Sequence, residues 1–179
     1  MRKIGMRDMT NILGIDKSNM TITVEPFVTV AQLTACLYPK GYTLPMVPEL
    51  DDLTVGGLLM GVGIESSSHK HGLFSDFCVA YEVITANGER IRVTADNEHR
   101  ELFYALPWSY GTLGFLVSAE LRILPCKKYV HLKYFPCYSQ QQMVKVFSRE
   151  ACAPKPAEFV EGTLQFTAGL CCVFRCTDW

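Results

Sequence analysis

Residues 54–66 of this chain are Thr54-Val55-Gly56-Gly57-Leu58-Leu59-Met60-Gly61-Val62-Gly63-Ile64-Glu65-Ser66. The stretch is apolar and rich in glycine, and it follows an acidic group that runs from Glu49 to Asp52. Acidic and hydroxyl residues before an apolar run are typical of a helix start. We therefore predict a short helix over Val55–Met60, opened by Thr54 or Asp52 and ended at the turn of Gly61 to Gly63.

Two interpretations of this glycine-rich stretch remain open on the residues alone. Glycine permits close approach of the backbone to a bound group, and a helix start presents free N–H donors that suit a phosphate or the polar edge of a ring. The same glycines also let a helix pack tightly on a sheet. The pattern is neither a GxGxxG fingerprint after a strand nor a phosphate loop ending in Lys-Ser, so it does not decide between a ligand cradle and close packing.

The residues on either side predict an α+β fold, a mostly antiparallel sheet with flanking helices. Asn87-Gly88 predicts a hairpin with a two-residue turn, because such a turn requires positive φ angles. Thr29 is a predicted N-cap, and residues 65–72 are predicted to be a polar loop. The elements predicted from periodicity and turn signals are strands at Met20–Pro26, Val79–Thr85, Arg90–Thr94 and Phe115–Leu124, an extended piece at Tyr42–Pro45, and helices at Val30–Tyr38 and Asn97–Ala105.

The pattern changes after Pro125. A strand, a helix and a second strand are predicted beyond this point, at Tyr129–Phe135, Gln140–Arg149 and Phe159–Phe166. The change marks a candidate domain boundary near residue 126. We therefore predict a first domain over residues 1–125 and a second over residues 126–179.

Composition limits the classes of function. Of the 179 residues, 49% are hydrophobic and 20% are charged, which is typical of a globular domain with a sizeable core. The formal net charge of -1 gives no basic surplus, so a nucleic-acid partner is disfavoured. No apolar run reaches the ~18 residues that a membrane span needs. The 8 cysteines show no CxxC pair, which favours a reducing compartment and predicts no metal site.

Several motifs resemble those of the delta-24 sterol reductases. The Thr54-Val55-Gly56-Gly57 and Gly111–Phe115 motifs are shared with the wider vanillyl-alcohol oxidase and p-cresol methylhydroxylase type of FAD domain. The Glu65–Lys70 run is narrower and indicates the sterol enzymes. The similarity covers the chain up to about Glu161 and is carried by Gly41–Pro45, Pro48–Gly57, Gly63–Lys70, Ala80–Val83, Leu102–Ser109 and Gly111–Glu120.

This resemblance implies a cofactor, a reaction and a location. The cofactor is FAD, with NADPH as the reductant of the flavin, and the reaction is reduction of a side-chain double bond in a sterol. The full-length family members are expected in the endoplasmic reticulum membrane. The resemblance also implies that this chain is truncated at both ends: residues 1–125 lack an upstream pyrophosphate loop, membrane contact belongs to segments outside the chain, and residues 126–179 begin a substrate domain. The tail, Ala168–Trp179, departs from the family pattern.

The resemblance also implies the cofactor-binding residues. Gly111, Thr112 and Gly114 form a second segment, for which a turn entering a strand is an equally good interpretation. The first and more informative segment consists of Thr54, Val55, Gly56, Gly57, Leu58, Leu59, Met60, Gly61, Val62, Gly63, Ile64, Glu65 and Ser66.

No catalytic residue is assigned from the sequence. His69 stands in the motif, but a hydrogen-bonded loop histidine is the commoner case. Core packing is the default for Tyr81 and Tyr104. Two alternative functions stay open. One is a sugar-acid, lactone or alcohol oxidase of the same superfamily, and the other is a non-catalytic flavin-binding or interaction module.

Overall fold

The computed structural model describes the main chain of residues 4–165 and 170–178 and the side chains of residues 4–164. The elements in chain order are β1 (Ile12–Asp16), β2 (Thr21–Val24), α1 (Val30–Leu37), β3 (Tyr42–Thr43), α2 (Val55–Met60), α3 (Ser68–His71), β4 (Cys78–Ile84), β5 (Arg90–Thr94), α4 (Arg100–Ala105), β6 (Phe115–Arg122), β7 (Leu124–Pro125), β8 (Val130–Cys137), α5 (Gln140–Ala151), β9 (Phe159–Gln165) and β10 (Leu170–Asp178). Short 3₁₀ turns lie at Tyr38–Lys40 and Phe74–Phe77.

The chain divides into two compact units. The first contains Met1–Glu65 and Leu73–Cys126, and the second contains Ser66–Gly72 and Lys127–Trp179. The short segment Ser66–Gly72 therefore groups with residues that follow it by more than fifty positions. That the second unit is the start of a substrate domain stays a prediction.

A five-stranded sheet forms the centre of the first unit. Its strand order is β1-β2-β6-β4-β5, and every neighbouring pair is antiparallel. The α+β prediction with a mostly antiparallel sheet is thus confirmed. A separate two-stranded pair joins β3 to β7. The predicted strand Phe115–Leu124 is divided between β6, which pairs with β2 and β4, and β7, which pairs with β3.

Alternation along β2 builds part of the core as its sequence predicts. Ile22 and Val24 are fully buried, whereas Thr23 is half-buried. The helix α1 begins at the predicted cap, where Thr29 Oγ1 accepts from Gln32 N–H and the Gln32 side chain accepts from Thr29 N–H in return. Its buried face consists of Val30, Leu33 and Leu37.

The hairpin between β4 and β5 is present, but the predicted two-residue turn is wrong. Thr85 N–H donates to the Glu89 carbonyl and Gly88 N–H donates to the Thr85 carbonyl, so three residues form the loop. Gly88 has φ +80°, and Asn87 is not in the left-handed region. One glycine after a right-handed turn is the usual geometry of a three-residue hairpin loop, which needs only one positive φ.

The helix predicted over Asn97–Ala105 begins later, at Arg100. The side-chain oxygen of Asn97 accepts from the backbone N–H groups of Thr94 and His99. Because an asparagine side chain offers the backbone this alternative to a helical bond, the first residues form a turn instead.

The second unit contains a three-stranded antiparallel sheet in the order β8-β10-β9, with α5 between β8 and β9 in sequence. Ser139 caps α5 by accepting from Gln142 N–H. Its small core is centred on Cys137, Ala157 and Val160. Phe166 of the predicted strand and the side chains of the predicted atypical tail lie outside the described residues.

Candidate functional site

A groove of about 340 Å³ lies in the first unit, between the start of α2 and the loop that enters β6. We call it the glycine groove. Six residues predicted from the sequence line it: Thr54, Gly56, Gly57, Met60, Gly111 and Gly114. The structure therefore brings together two segments that the sequence separates by about fifty residues.

The other residues predicted for cofactor binding do not line this groove. Val55, Leu58 and Leu59 are buried in the hydrophobic core, because they form the inner face of α2. Ser66 belongs to the second unit. The remaining predicted residues of the first unit that lie off the groove are Gly61, Val62, Gly63, Ile64, Glu65 and Thr112.

The backbone N–H groups at the start of α2 are already used, so the expected free donors are absent from this turn. Val55 N–H donates to the Val28 carbonyl at 2.9 Å, and Gly56 N–H donates to the Pro26 carbonyl at 2.8 Å. Gly57 N–H donates to Thr54 Oγ1 at 3.3 Å. These three N–H groups are therefore not open to a phosphate, as one of the two interpretations left open would require. The physical reason is tertiary, since residues 26–28 run past α2 and accept its first bonds.

The glycines of the same stretch are required by close packing. A Cβ on Gly56 would lie 2.9 Å from Pro26 Cβ, and one on Gly63 would lie 2.8 Å from Phe74 Cβ. Real Cβ atoms do not approach neighbours so closely. The close-packing interpretation that the sequence left open thus holds at these positions, while Gly56 and Gly57 also form the floor of the groove.

The opposite wall of the glycine groove is a loop with unusual backbone angles. Trp108 has φ +67° and Tyr110 has φ +52°, both in the left-handed region, and Gly111 follows at φ +75°. Bulky residues rarely adopt this conformation, and it concentrates at functional sites. Tyr110 N–H donates to the Met60 carbonyl at 2.9 Å, which ties the loop to α2. Among the described residues, the turn uses the N–H of Thr112 and leaves that of Gly111 unbonded.

Sequence reasoning missed six lining residues of the groove. They are Met6, Pro26, Phe27, Tyr110, Phe115 and Leu116. Phe115 and Leu116 stand within Gly111–Glu120, a segment that carries the family resemblance, so a signal for them was present. Tyr110 is 80% exposed although its side chain is large. No local sequence pattern predicts this exposure.

A second groove in the first unit, of about 630 Å³, includes Cys78, Tyr81, Tyr104 and Trp108 in its lining. Tyr81 is 1% exposed, as the default of core packing predicts, whereas Tyr104 is 62% exposed and that default is wrong for it. Burial raises the pKa of the Cys78 thiol to about 12 and raises the pKa of Tyr81 further above its usual range. Both groups are therefore uncharged at neutral pH.

His69 lies in the second unit, in the short helix α3 rather than in the predicted loop. Its Nε2 is 2.8 Å from the Ala157 carbonyl, which confirms the expectation of a hydrogen-bonded histidine. Gly72 N–H and His71 N–H close this helical turn by donating to the Ser68 and Ser67 carbonyls. Within the described part of the chain, no helix is long and apolar enough to cross a membrane, and no three His, Cys, Asp or Glu side chains form a metal-binding group.

Sequence comparison with known proteins identifies a family and several relatives. A family model described as FAD binding domain matches residues 3–94. The Delta(24)-sterol reductase of Homo sapiens is 52% identical over 159 residues, which cover 89% of this chain and 30% of that protein. The Delta(24)-sterol reductase of Pisum sativum is 46% identical over 156 residues, covering 87% of this chain and 28% of that protein.

A more distant relative is the L-gulonolactone oxidase of Bos taurus. It is 30% identical over 122 residues, which cover 68% of this chain and 27% of that protein. The chain thus spans less than a third of the length of each of these relatives.

Proposed function

The chain belongs to the FAD binding domain family, and from that premise we propose that it is the part of a flavin-dependent sterol reductase that holds one portion of FAD in the glycine groove. The observation that carries the proposal is the meeting of two separate family motifs, at Thr54–Gly57 and Gly111–Gly114, on one groove. Identity of 52% to a Delta(24)-sterol reductase supports the choice of reaction.

The glycine groove fits part of a flavin dinucleotide. Its volume is at the lower end of the ~300–1,000 Å³ typical of ligand sites, so it suits one ring system and not the whole cofactor. Met60, Phe27 and Leu116 supply apolar walls, and the Tyr110 ring is free to stack on a flat surface. The unbonded Gly111 N–H offers a donor at the rim. When bound, FAD supplies hydride chemistry to this site.

The residues of the chain contribute binding and orientation. The tie from Tyr110 N–H to the Met60 carbonyl holds the two walls at a fixed separation, so that a ring inserted between them needs little reorganisation. Of the predicted cofactor residues that lie off the groove, Val62 and Ile64, at 55% and 67% exposure, are proposed to contact other portions of FAD. Exposed aliphatic side chains in one short segment suit a surface that a ligand covers.

The proposed reaction is reduction of a sterol side-chain double bond, with NADPH as the source of electrons. The full-length protein that carries this chain is proposed to act at the endoplasmic reticulum membrane, as the resemblance implies. The narrow Glu65–Lys70 motif and the higher identity to the sterol reductases favour this reaction.

A lactone oxidase is the second candidate function. The match to the L-gulonolactone oxidase of Bos taurus favours it, but at 30% identity over 68% of the chain. Production of hydrogen peroxide with a sugar lactone, without consumption of NADPH, would support this candidate over the first. Sterol reduction with NADPH would exclude it.

The test begins with cofactor binding. We expect the full-length protein to elute with about one FAD per chain, and a folded, colourless protein would instead support the alternative of a non-catalytic module. Tyr110→Asn removes the exposed ring while keeping a residue that tolerates a positive φ. Loss of one stacking contact, worth ~1 kcal/mol, is expected to weaken FAD binding about five- to tenfold in a titration.

The matched control is Tyr138→Asn. Tyr138 is exposed to a similar degree, 74%, but lies in the second unit and does not line the groove. Equal weakening in both variants, or none in Tyr110→Asn, would contradict the placement of FAD in the glycine groove.

A further inference from the structure

The second groove of the first unit, of about 630 Å³, has no role in the proposed flavin site. We call it the aromatic groove, because Tyr81, Phe103, Tyr104 and Trp108 are part of its lining. All of its lining residues lie within residues 73–122, so it belongs to one unit. Its described lining residues differ from those of the glycine groove. Its volume is in the middle of the ~300–1,000 Å³ typical of small-molecule sites, so it has room for a ligand of its own.

The rings of this groove form a continuous set. Phe103 lies 5.3 Å from Tyr81 and 5.2 Å from Tyr104, measured between ring centroids. Tyr104 and Trp108 are 62% and 58% exposed. Trp108 keeps its place although its φ of +67° is one that bulky residues rarely adopt. Exposed rings around a concave surface suit a flat and largely apolar ligand.

One buried polar atom of the lining has no hydrogen-bond partner. Tyr81 is 1% exposed, and its hydroxyl has no oxygen or nitrogen partner among the described residues. The thiol that acts on it, Cys78, is a weak acceptor and itself donates to the Ala80 carbonyl at 3.3 Å. Burial raises the pKa of Tyr81 above its usual range, so the hydroxyl keeps its proton and is a donor. A ligand oxygen that paired with it would gain a bond without breaking another.

The charged side chains of the aromatic groove do not suit a ligand that carries phosphates. Asp76 and Asp96 supply two carboxylates to the described lining, whereas Arg122 supplies one guanidinium. Asp76 also accepts from Leu73 N–H at 2.7 Å, which keeps its carboxylate in place. A polyphosphate such as a nicotinamide dinucleotide would therefore meet net repulsion. A neutral ligand is favoured over a nucleotide.

We propose that the aromatic groove binds the ring system of a sterol and that the Tyr81 hydroxyl donates to the sterol's ring hydroxyl. This inference rests on the proposed function, which supplies the class of ligand. The ring system of a sterol is flat, rigid and apolar apart from one hydroxyl, so it matches aromatic walls with one unpaired donor. Trp108 of this groove and Tyr110 of the glycine groove belong to one loop, so the two grooves are adjacent within the first unit.

The test measures equilibrium binding to the full-length protein and needs no turnover. One ligand is a sterol with a side-chain double bond, and the other is its 3-deoxy analogue, which lacks the ring hydroxyl. Tyr81→Phe removes the hydroxyl of the protein and keeps the ring. We expect the preference for the hydroxyl-bearing sterol to be about fivefold greater in the unsubstituted protein than in Tyr81→Phe, as for one hydrogen bond.

The matched control for the hydroxyl is Thr85→Val. Thr85 Oγ1 is a second buried hydroxyl without a partner among the described residues, but Thr85 lines neither groove. Thr85→Val should therefore keep the preference of the unsubstituted protein. An unchanged preference in Tyr81→Phe, or the same change in both variants, would overturn the pairing of the sterol with Tyr81.

The ligand-free protein gives a separate readout of the unpaired hydroxyl. Tyr81→Phe loses no hydrogen bond, so we expect its midpoint of urea denaturation to equal or exceed that of the unsubstituted protein. A lower midpoint would show that the hydroxyl already has a partner and would overturn its role as an open donor.

Tyr104→Ala tests the aromatic walls. Loss of an exposed ring is expected to weaken the binding of both ligands about fivefold and to leave the preference between them unchanged. The control is Tyr38→Ala, because Tyr38 is 52% exposed in the same unit and lines neither groove. Equal weakening in the two variants, or displacement of the sterol by NADPH, would overturn the assignment of the groove to a sterol.

Titration with FAD separates failure of this inference from failure of the proposed function. Tyr81 does not line the glycine groove, so Tyr81→Phe should bind FAD with the affinity of the unsubstituted protein. If the unsubstituted protein binds FAD and reduces the sterol, but both aromatic-groove variants bind the two ligands as it does, only the inference fails. If the unsubstituted protein binds no sterol, the inference fails together with the proposed function.

Discussion

Residues 54–63 of the predicted cofactor stretch and residues 66–72, at and beyond its end, are held in place by different physical means. In the first unit, residues 54–63 depend on steric fit, since Gly56 and Gly63 leave no room for a Cβ. In the second unit, residues 66–72 depend on charge, since Lys70 and His71 are held by Glu158. Adjacent segments of one chain can therefore be stabilised by different interactions. The first region should respond to side-chain volume and the second to pH and salt.

The largest expected effect comes from adding volume in the first region. Gly56→Ala places a Cβ within 2.9 Å of Pro26 Cβ and 3.1 Å of its carbonyl oxygen, so α2 must shift. We expect the free energy of unfolding to fall by ~1–3 kcal/mol, as for other overpacked sites, measured by urea denaturation. Gly14→Ala is the control, because nothing lies within 4 Å of its Cβ. An equal loss in both variants would remove the steric explanation.

A smaller effect is expected from backbone strain in the other wall of the glycine groove. At Gly111 nothing lies within 4 Å of the position that a Cβ would take, but φ is +75°. Gly111→Ala is therefore expected to cost about 1–2 kcal/mol of unfolding free energy through strain alone. Gly111→Asn should cost less, because asparagine tolerates this region. If Gly111→Ala and Gly111→Asn lower the unfolding free energy equally, backbone strain is not the cause.

The stability of α3 is expected to depend on pH, with a smaller effect than that of Gly111→Ala. Such a dependence would distinguish the second region from the first. The folded-state pKa of Glu158 lies below its ordinary value of 4.5, so its contribution is complete above that pH and is lost as pH falls through the folded pKa. The contribution at neutral pH is ~1 kcal/mol or less, because the pair is partly exposed to solvent.

Amide exchange at Gly72 measures this contribution. Exchange, corrected for its intrinsic pH dependence, should rise below pH 4.5 in the unsubstituted protein and show no such step in Glu158→Gln. Added salt at neutral pH should also speed amide exchange at Gly72. A step of the same size in both proteins would assign the acid sensitivity to another group.

The smallest effect is expected at Gly114. Its Cβ would lie 3.4 Å from Val83 Cβ, an ordinary van der Waals contact, and its φ is not in the left-handed region. Gly114→Ala is therefore expected to change unfolding free energy by less than about 0.5 kcal/mol. A loss as large as that of Gly56→Ala would show that the two walls of the groove do not differ as described.

Local patterns predicted the elements with few errors. The caps at Thr29 and Thr54, the strand β2 and the helix α2 depend on neighbours within four residues, which the sequence displays directly. The hairpin was predicted with the wrong turn, because Asn-Gly serves both two-residue and three-residue loops. The strand β1 was not predicted, since Gly14 interrupts its short apolar pattern and its side chains are largely exposed.

The candidate site was also predicted only in part. The resemblance of motifs selected Gly56, Gly57, Gly111 and Gly114, all of which line one groove. It also selected Leu58 and Leu59, which are core residues, because a motif does not show which face of a helix is buried. The strained backbone of Trp108 and Tyr110 has no signature in composition or period.

The sequence by itself determined the α+β pattern, the starts of α1, α2 and α5, and the family. Short-range hydrogen bonding and hydrophobic periodicity depend on adjacent residues, so the sequence displays them directly. Only the tertiary structure decided which N–H groups remain open and which glycines are required for space. It also decided that His71 meets Glu158, 87 residues away along the chain. Such contacts depend on the packing of whole elements, and no local pattern contains them.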